Sequence, residues 1–268
     1  MKKLTAIVLI FVLALTLAAC GASAPASSQA ASGASAVITS VDDLTGKTVG
    51  VQLGTTGDIY AEDIEGATIE RYNKGTEAIM ALQQGKIDAV IIDDQPAKIF
   101  AQQNGDIKVL EEAFTVEDYA ICVSKDNADL TAAMNTAIAE LKADGTLQAI
   151  LDYYIGGVEG AKPYESAADA AYPNGKLIMA TNATFPPYEY HEGDAIVGVD
   201  ADFAKAICDK MGYELVIEDM DFDAIIPAVQ SGKASFGAAG MTVTEDRLKS
   251  IDFTDSYCTA SQVVIVKK

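Results

Sequence analysis

The stretch Ala81-Leu82-Gln83-Gln84-Gly85-Lys86 runs straight into Ile87-Asp88-Ala89-Val90-Ile91-Ile92-Asp93. It reads as the end of a helix, a glycine where a left-handed residue stops that helix, and then a short apolar strand. Ala228-Val229-Gln230-Ser231-Gly232-Lys233 repeats the device before another apolar run. Outward from these two points the pattern persists, with short apolar runs alternating with amphipathic stretches. That predicts an α/β protein whose strands are mostly parallel. Strands are expected over 48–53, 68–72, 88–92, 107–110, 119–124, 176–180, 214–218, 234–238 and 262–266. Helices are expected over 57–64, 76–84, 96–103, 128–143, 146–154, 201–211, 223–230 and 245–250, with Asp144-Gly145 as a breaker. Residues 156–175, rich in Gly, Ala and Pro without periodicity, read as a linker.

The first residues read as an export signal: Lys2 and Lys3, then an apolar run over 6–19 that is too short for a membrane span. Leu17-Ala18-Ala19-Cys20 resembles a bacterial lipobox, in which Cys20 is diacylated; two acyl chains suffice for stable anchoring. Residues 21–36 are almost wholly Gly, Ala, Ser and Pro, a composition that predicts a flexible tether. About 230 residues then remain, enough for one large or two small cores. The signal holds two of the 19 basic residues and no acid, so 17 basic residues face 39 acids in the rest. This balance argues against nucleic acid and against a broad anionic membrane surface as partners. Cys122, Cys208 and Cys258 have no metal spacing and read as small core residues. A lone histidine, His191, placed in a polar turn, argues against His-based catalysis or metal binding.

Several motifs together resemble the polar amino-acid-binding family of ABC importers, with its two-lobed type II periplasmic-binding-protein (Venus flytrap) fold. They are Thr181-Asn182-Ala183-Thr184-Phe185-Pro186-Pro187-Tyr188, Val197-Gly198-Val199-Asp200, Phe222-Asp223, and Gly240-Met241-Thr242-Val243-Thr244-Glu245-Asp246-Arg247. Leu44 to Val51, Gly54-Thr55-Thr56-Gly57 and Asp88 to Asp93 resemble the landmarks of the family's second lobe. The order departs from the family's, because the second-lobe motifs come first. The resemblance therefore implies a circular permutation cut at the hinge. Lobe two would occupy 37–117 and lobe one 118–268, with 156–175 as the permutation linker. It further implies one remaining crossing between lobes, near 114–119, a terminal strand packed in lobe one, and a looser hinge.

The resemblance also implies a site. A free amino acid offers a carboxylate and an ammonium, and neither tolerates unpaired burial. Arg247 is the candidate for the carboxylate through its two-pronged guanidinium, helped by the backbone N–H groups of Thr242 and Thr56. A solvated arginine in the first turn of a helix is the other reading of Arg247. Asp93, at the carboxyl end of an apolar strand, is the candidate for the ammonium, assisted by the Gly240 carbonyl; a helix cap is its alternative. Phe185 and Phe222 are either walls around the ligand side chain or ordinary core. Asn182, a neutral amide, points to a neutral or amide ligand such as glutamine. Asp58 would restore a negative charge if it faced the cleft. Tyr188 and Thr55 are further candidates.

The implied function is that of a lipid-anchored extracytoplasmic solute-binding protein. It is expected to be monomeric, to need no cofactor or metal, and to deliver its ligand to the permease of an ABC transporter. Two other functions remain for the same fold: an amino-acid sensor without transport, and a secreted dehydratase-like enzyme.

Overall fold

A computed structural model describes residues 37–268. The export signal, Cys20 and the tether lie outside the described residues. The description below concerns the unit Ile38–Lys268.

The first half of the chain winds as β1 (Thr48–Gln52), α1 (Thr56–Ala61), β2 (Thr68–Tyr72), α2 (Gly75–Gln83), β3 (Ala89–Asp93), α3 (Asp94–Gln103) and β4 (Ile107–Tyr119). β1 pairs in parallel with β2 and β3. All five residues of β3 are buried, because helices cover both faces of the central strands of such a sheet. The Gly85 and Gly232 expectations hold: both take positive φ, +69° and +74°, just beyond a helix.

A second body follows: β5 (Cys122–Val123), α4 (Ala128–Ala143), α5 (Thr146–Leu151) and a π-helical turn (Asp152–Gly156), then β6 (Lys176–Thr181), β7 (Thr184–Phe185), β8 (Glu189–Glu192) and β9 (Ala195–Val197). After these come α6 (Val199–Met211), β10 (Glu214–Asp219), α7 (Phe222–Gln230), β11 (Phe236–Gly237), α8 (Glu245–Ser250), β12 (Asp252–Phe253) and β13 (Cys258–Lys267). The second sheet has the order β10-β6-β11-β5-β12, and β7-β8-β9 form a small three-stranded sheet. His191 lies in β8 rather than in a turn, with its Nε2 3.1 Å from Asp219 Oδ2. Cys122 and Cys208 are buried in the core, as their apolar surroundings suggest; Cys258 is half-buried. Among the described residues no helix is long and apolar enough to cross a membrane.

β13 corrects one expectation. It does not stay in the second body. It lies in the first sheet, whose order is β2-β1-β3-β13-β4, and pairs antiparallel with both β3 and β4. Its start, Cys258–Ala260, runs beside Glu117–Tyr119, and its later half, Val263–Val266, runs beside β3. Two strands therefore cross between the sheets, not one, and the ground for expecting a looser hinge disappears. The reason is the register: Val263, Val264, Ile265 and Val266 are all buried, and only a position between two strands hides every face of such a run.

The segment after the π turn is irregular, as expected of a linker, yet it is tied down. Tyr154 Oη and the Tyr164 backbone N–H both donate to Asp202 Oδ2, at 3.0 and 2.8 Å. Tyr164 and Tyr172 donate through their hydroxyls to the two oxygens of Asp209, at 2.9 and 3.2 Å. Asp202 and Asp209 stand two turns apart on α6, so the segment is strapped along one face of that helix.

Candidate functional site

Where the carboxyl ends of β1 and β3 face β6, β7 and the Gly240 loop, side chains of both bodies close around a small chamber. The lining comprises Gln52, Thr55, Thr56 and Asp93 from the first body, and Asn182, Phe185, Glu189, Phe222, Ala239, Gly240, Thr242 and Arg247 from the second. Nine of the ten sequence-nominated ligand residues therefore meet around one chamber. The exception is Tyr188. It is buried behind the wall, edge-on to Tyr119 with ring centroids 5.1 Å apart and stacked on Phe185 at 5.8 Å.

Arg247 sits in α8, whose first turn is capped by Thr244: its Oγ1 accepts from the Arg247 backbone N–H at 3.2 Å. The side chain is not solvated; it is 8 % exposed. Nη1 donates to the Thr242 carbonyl at 2.8 Å and Nη2 to the Gly54 carbonyl of the first body at 2.9 Å. The guanidinium lies over the Phe222 ring, 5.4 Å from its centroid. Burial lowers its pKa, while Cys122, Glu117 and Asp93 act in the opposite sense. Two of its five donors are used by the carbonyls named here, which leaves three for an anion.

Asp93 ends β3 and starts α3, but its side chain makes no cap bond to that helix. Instead its Oδ2 accepts a very short hydrogen bond from the Tyr119 hydroxyl. Burial pushes its pKa up to about 7; the Tyr119 bond acts against that rise and the nearby Glu117 charge adds to it. The other candidate oxygens are largely engaged. Thr55 Oγ1 donates to the Gln52 carbonyl at 2.8 Å and accepts from the Asp58 N–H at 3.3 Å, capping α1. Asp58 points away from the chamber, accepting from Gly54 N–H at 3.0 Å and pairing with Arg71 Nε at 2.8 Å.

Asn182 is mostly engaged by protein partners, with one Nδ2 proton left over. Its Oδ1 accepts from Gln52 Nε2 at 2.9 Å and from Thr184 Oγ1 at 3.0 Å, and its Nδ2 donates to the Met220 carbonyl at 2.7 Å. Its amide thus latches the two bodies together. Gly240 adopts φ +51°, and a Cβ there would stand 2.9 Å from Phe185 Cε1. Its N–H donates to Asp200 Oδ2 at 2.6 Å, and Asp200 Oδ1 accepts from the Tyr257 hydroxyl at 2.7 Å. Burial first, then the nearby Asp200 charge, pushes the Glu189 carboxyl well above its usual range. Burial brings Asp200 itself to about 6.

Gln52, Glu189 and Ala239 escaped the reading of the sequence. Gln52 ends β1 as Asp93 ends β3, so the rule that places ligands beyond strand carboxyl ends applied to it equally. Glu189 follows Tyr188 directly, and only the strand alternation of β8 turns it inward. Among the described residues no group of His, Cys, Asp and Glu is arranged to hold a metal ion.

A profile described as "Bacterial extracellular solute-binding proteins, family 3" matches residues 39–157 and 177–268. "Arginine-binding extracellular protein ArtP" of Bacillus subtilis is 47% identical over 93 residues, 35% of this chain and 36% of that protein. "L-cystine-binding protein TcyJ" of Escherichia coli K12 is 35% identical over 126 residues, 46% of this chain and 47% of that protein. A solved structure, "An ancestral arginine-binding protein bound to glutamine", is 49% identical with a TM-score of 0.29, over 30% of this chain and 36% of that one. The chain thus spans between a third and a half of the length of these relatives. The profile match extends over both bodies that build the chamber, and the chain belongs to the bacterial extracellular solute-binding proteins, family 3.

Proposed function

We propose that the protein is an extracytoplasmic lipoprotein that captures a polar amino acid and delivers it to the permease of an ABC transporter. The observation that carries this reading is the pairing of one buried guanidinium, Arg247, with one buried carboxyl, Asp93, around a single enclosed chamber. Arg247 and the backbone N–H groups of Thr242 and Thr56 receive the ligand carboxylate. Asp93 and the Gly240 carbonyl receive the ammonium, and Phe185 and Phe222 enclose the side chain. A few charge-assisted hydrogen bonds of roughly 1.5–3 kcal/mol each reach the about −8 kcal/mol that micromolar binding needs. Since each body supplies part of the site, the ligand favours the closed arrangement by its added contacts there.

The binder needs no cofactor, acts as a monomer, and meets the membrane through a diacyl group on Cys20. Its chain order is a circular permutation of the family's. Support comes from the profile matching in two separate segments, with residues 158–176 between them unmatched, and from the second-lobe motifs preceding the Thr181 block. The unmatched stretch lies within the segment strapped along α6, as a joint between former termini would.

The test is a thermal-shift screen of the purified protein against the twenty amino acids, alongside Arg247→Ala. A shift with one or a few of them that is absent in the variant supports the reading. Absence of any shift, even after unfolding and refolding to remove carried-over ligand, refutes it.

A further inference from the structure

Asp200 closes the motif Val197-Gly198-Val199-Asp200 and is the second residue of α6. It is 1 % exposed, yet it does not line the chamber. Its contacts lead to the loop that does. Ala239, Gly240 and Thr242 line the chamber between β11 and α8. On either side of Gly240 the backbone is pinned. The Ala238 N–H donates to the Ala180 carbonyl at 3.1 Å, and the Met241 carbonyl accepts from the Ala120 N–H at 3.0 Å. Between those two points, among the described residues, the turn is held by the Gly240 N–H donating to Asp200 Oδ2 at 2.6 Å. No donor among them reaches the Gly240 carbonyl, so that acceptor is left for a ligand.

Asp200 Oδ1 accepts from the Tyr257 hydroxyl at 2.7 Å, and the Tyr257 N–H donates to the Tyr119 carbonyl at 2.9 Å. The Tyr119 hydroxyl in turn bonds Asp93. The two tyrosine rings lie 6.5 Å apart. Asp93 and the Gly240 loop are thereby held in one frame, each through a carboxyl–tyrosine bond. Burial raises the Asp200 pKa to about 6, and the Gly240 and Tyr257 bonds act against that rise. At pH 8 it is ionised and both oxygens accept, and a backbone N–H bond to a carboxylate is roughly twice as strong as one to a neutral acceptor.

We propose that Asp200 is a positioning residue for recognition of the ligand's ammonium: by holding the Gly240 N–H it fixes the turn, so that the Gly240 carbonyl stands ready beside Asp93. This rests on the amino-acid reading above, and Asp200 itself touches no ligand. Without the bond the turn has no anchor between Ala238 and Met241, and the carbonyl loses its fixed direction. The carboxylate end of the site is pinned separately. Thr242 lies between the Met241 carbonyl, bonded to Ala120, and the Val243 N–H, which donates to the Asp118 carbonyl at 3.2 Å; Arg247 is fixed by its own bonds to Thr242 and Gly54. Loss of Asp200 therefore falls on the ammonium and spares the carboxylate.

The probes are the twenty L-amino acids, titrated calorimetrically into the full-length protein at pH 8. For the tightest of them, the 2-hydroxy acid with the same side chain, in which a hydroxyl replaces the ammonium, is measured by displacement. Asp200→Ala weakens the amino acid about tenfold or more, the scale of one charge-assisted hydrogen bond, and the hydroxy acid less than about threefold. Asp200→Asn, which turns an amide oxygen to the Gly240 N–H, binds the amino acid within about threefold of wild type. The melting temperature without ligand, read in parallel, separates this from mere destabilisation, which weakens both probes alike. If Asp200→Ala does not fold, Tyr257→Phe carries the test: it frees one side of the Asp200 carboxylate and lowers the ratio of the two affinities in the same direction.

Equal losses for the two probes, or an unchanged amino-acid affinity in Asp200→Ala, overturn the proposal while the amino-acid reading stands. So does an Asp200→Asn variant as weak as Asp200→Ala, since charge and not the hold on Gly240 would then be what counts. A wild-type protein that binds none of the twenty amino acids removes both.

Discussion

The buried carboxyl of Asp93 makes ligand binding depend on pH in a way that can be worked out. Its pKa in the folded protein is about 7 against an ordinary 3.8, chiefly because burial disfavours the charged form. To pair with a ligand ammonium it must be ionised. Below pH 7 the protein therefore spends binding free energy on expelling a proton. Affinity should fall about tenfold per pH unit, so that binding at pH 5 is roughly a hundredfold weaker than at pH 8, about 2.7 kcal/mol. Near pH 7 about half a proton should be released per ligand bound. Stability of the unliganded protein moves in the opposite direction. Because the folded pKa is raised, the folded state holds a proton that the unfolded chain gives up. The stabilisation is complete below pH 3.8 and is lost as pH rises to about 7, up to about 4 kcal/mol in order of magnitude. Asp200, which holds the Gly240 N–H, and Glu189, which lines the chamber with Asp93, contribute to stability with the same sign. Calorimetric titration from pH 5 to 8, in two buffers of different ionisation enthalpy, measures both affinity and proton release. Asp93→Asn should bind weakly and without the pH slope. A wild-type affinity constant from pH 5 to 8 would refute the assignment of Asp93 to the ammonium.

Three further outcomes are expected. Gly198→Ala should cost about 3 kcal/mol or more, because the backbone is at φ +129° and the new Cβ would lie 2.2 Å from the Tyr188 carbonyl oxygen; chemical denaturation measures it. Gln52→Ala removes the 2.9 Å bond to Asn182 and should weaken closure of the two bodies by about 0.5–1.5 kcal/mol, seen as a larger radius of gyration in scattering of the unliganded protein. Tyr164→Phe breaks the bond to Asp209 and should expose the 157–175 segment to limited proteolysis, with a stability loss of about 1 kcal/mol and no change in ligand affinity.

The α/β alternation was legible because helix ends and buried strands leave local marks: Gly85 and Gly232 stop their helices, and β3 is apolar along its whole length. The chamber was largely legible because its residues sit in motifs at strand ends. What escaped was non-local. A strand such as Val263–Val266 announces that it is buried but not between which neighbours, so β13 was assigned to the wrong sheet. The environment of Asn182 depends on a glutamine 130 positions away. Glu117, lying between an exposed valine and an exposed aspartate, reads as a surface acid, although it is buried on the same alternate face of β4 as Tyr119.

The position of β13 also imposes an order on assembly. The strands it joins, β3 and β4, are made about 150 residues earlier. Until Cys258–Lys267 arrive, both present open edges and the first sheet lacks the strand between them. Closing so long a loop is slow, and open edges invite wrong partners. The second body, whose strands fall between residues 122 and 253, can form without that wait. The sheet begun first is thus the one finished last, and the unjoined β3 and β4 are where a chaperone would be needed while the chain is incomplete.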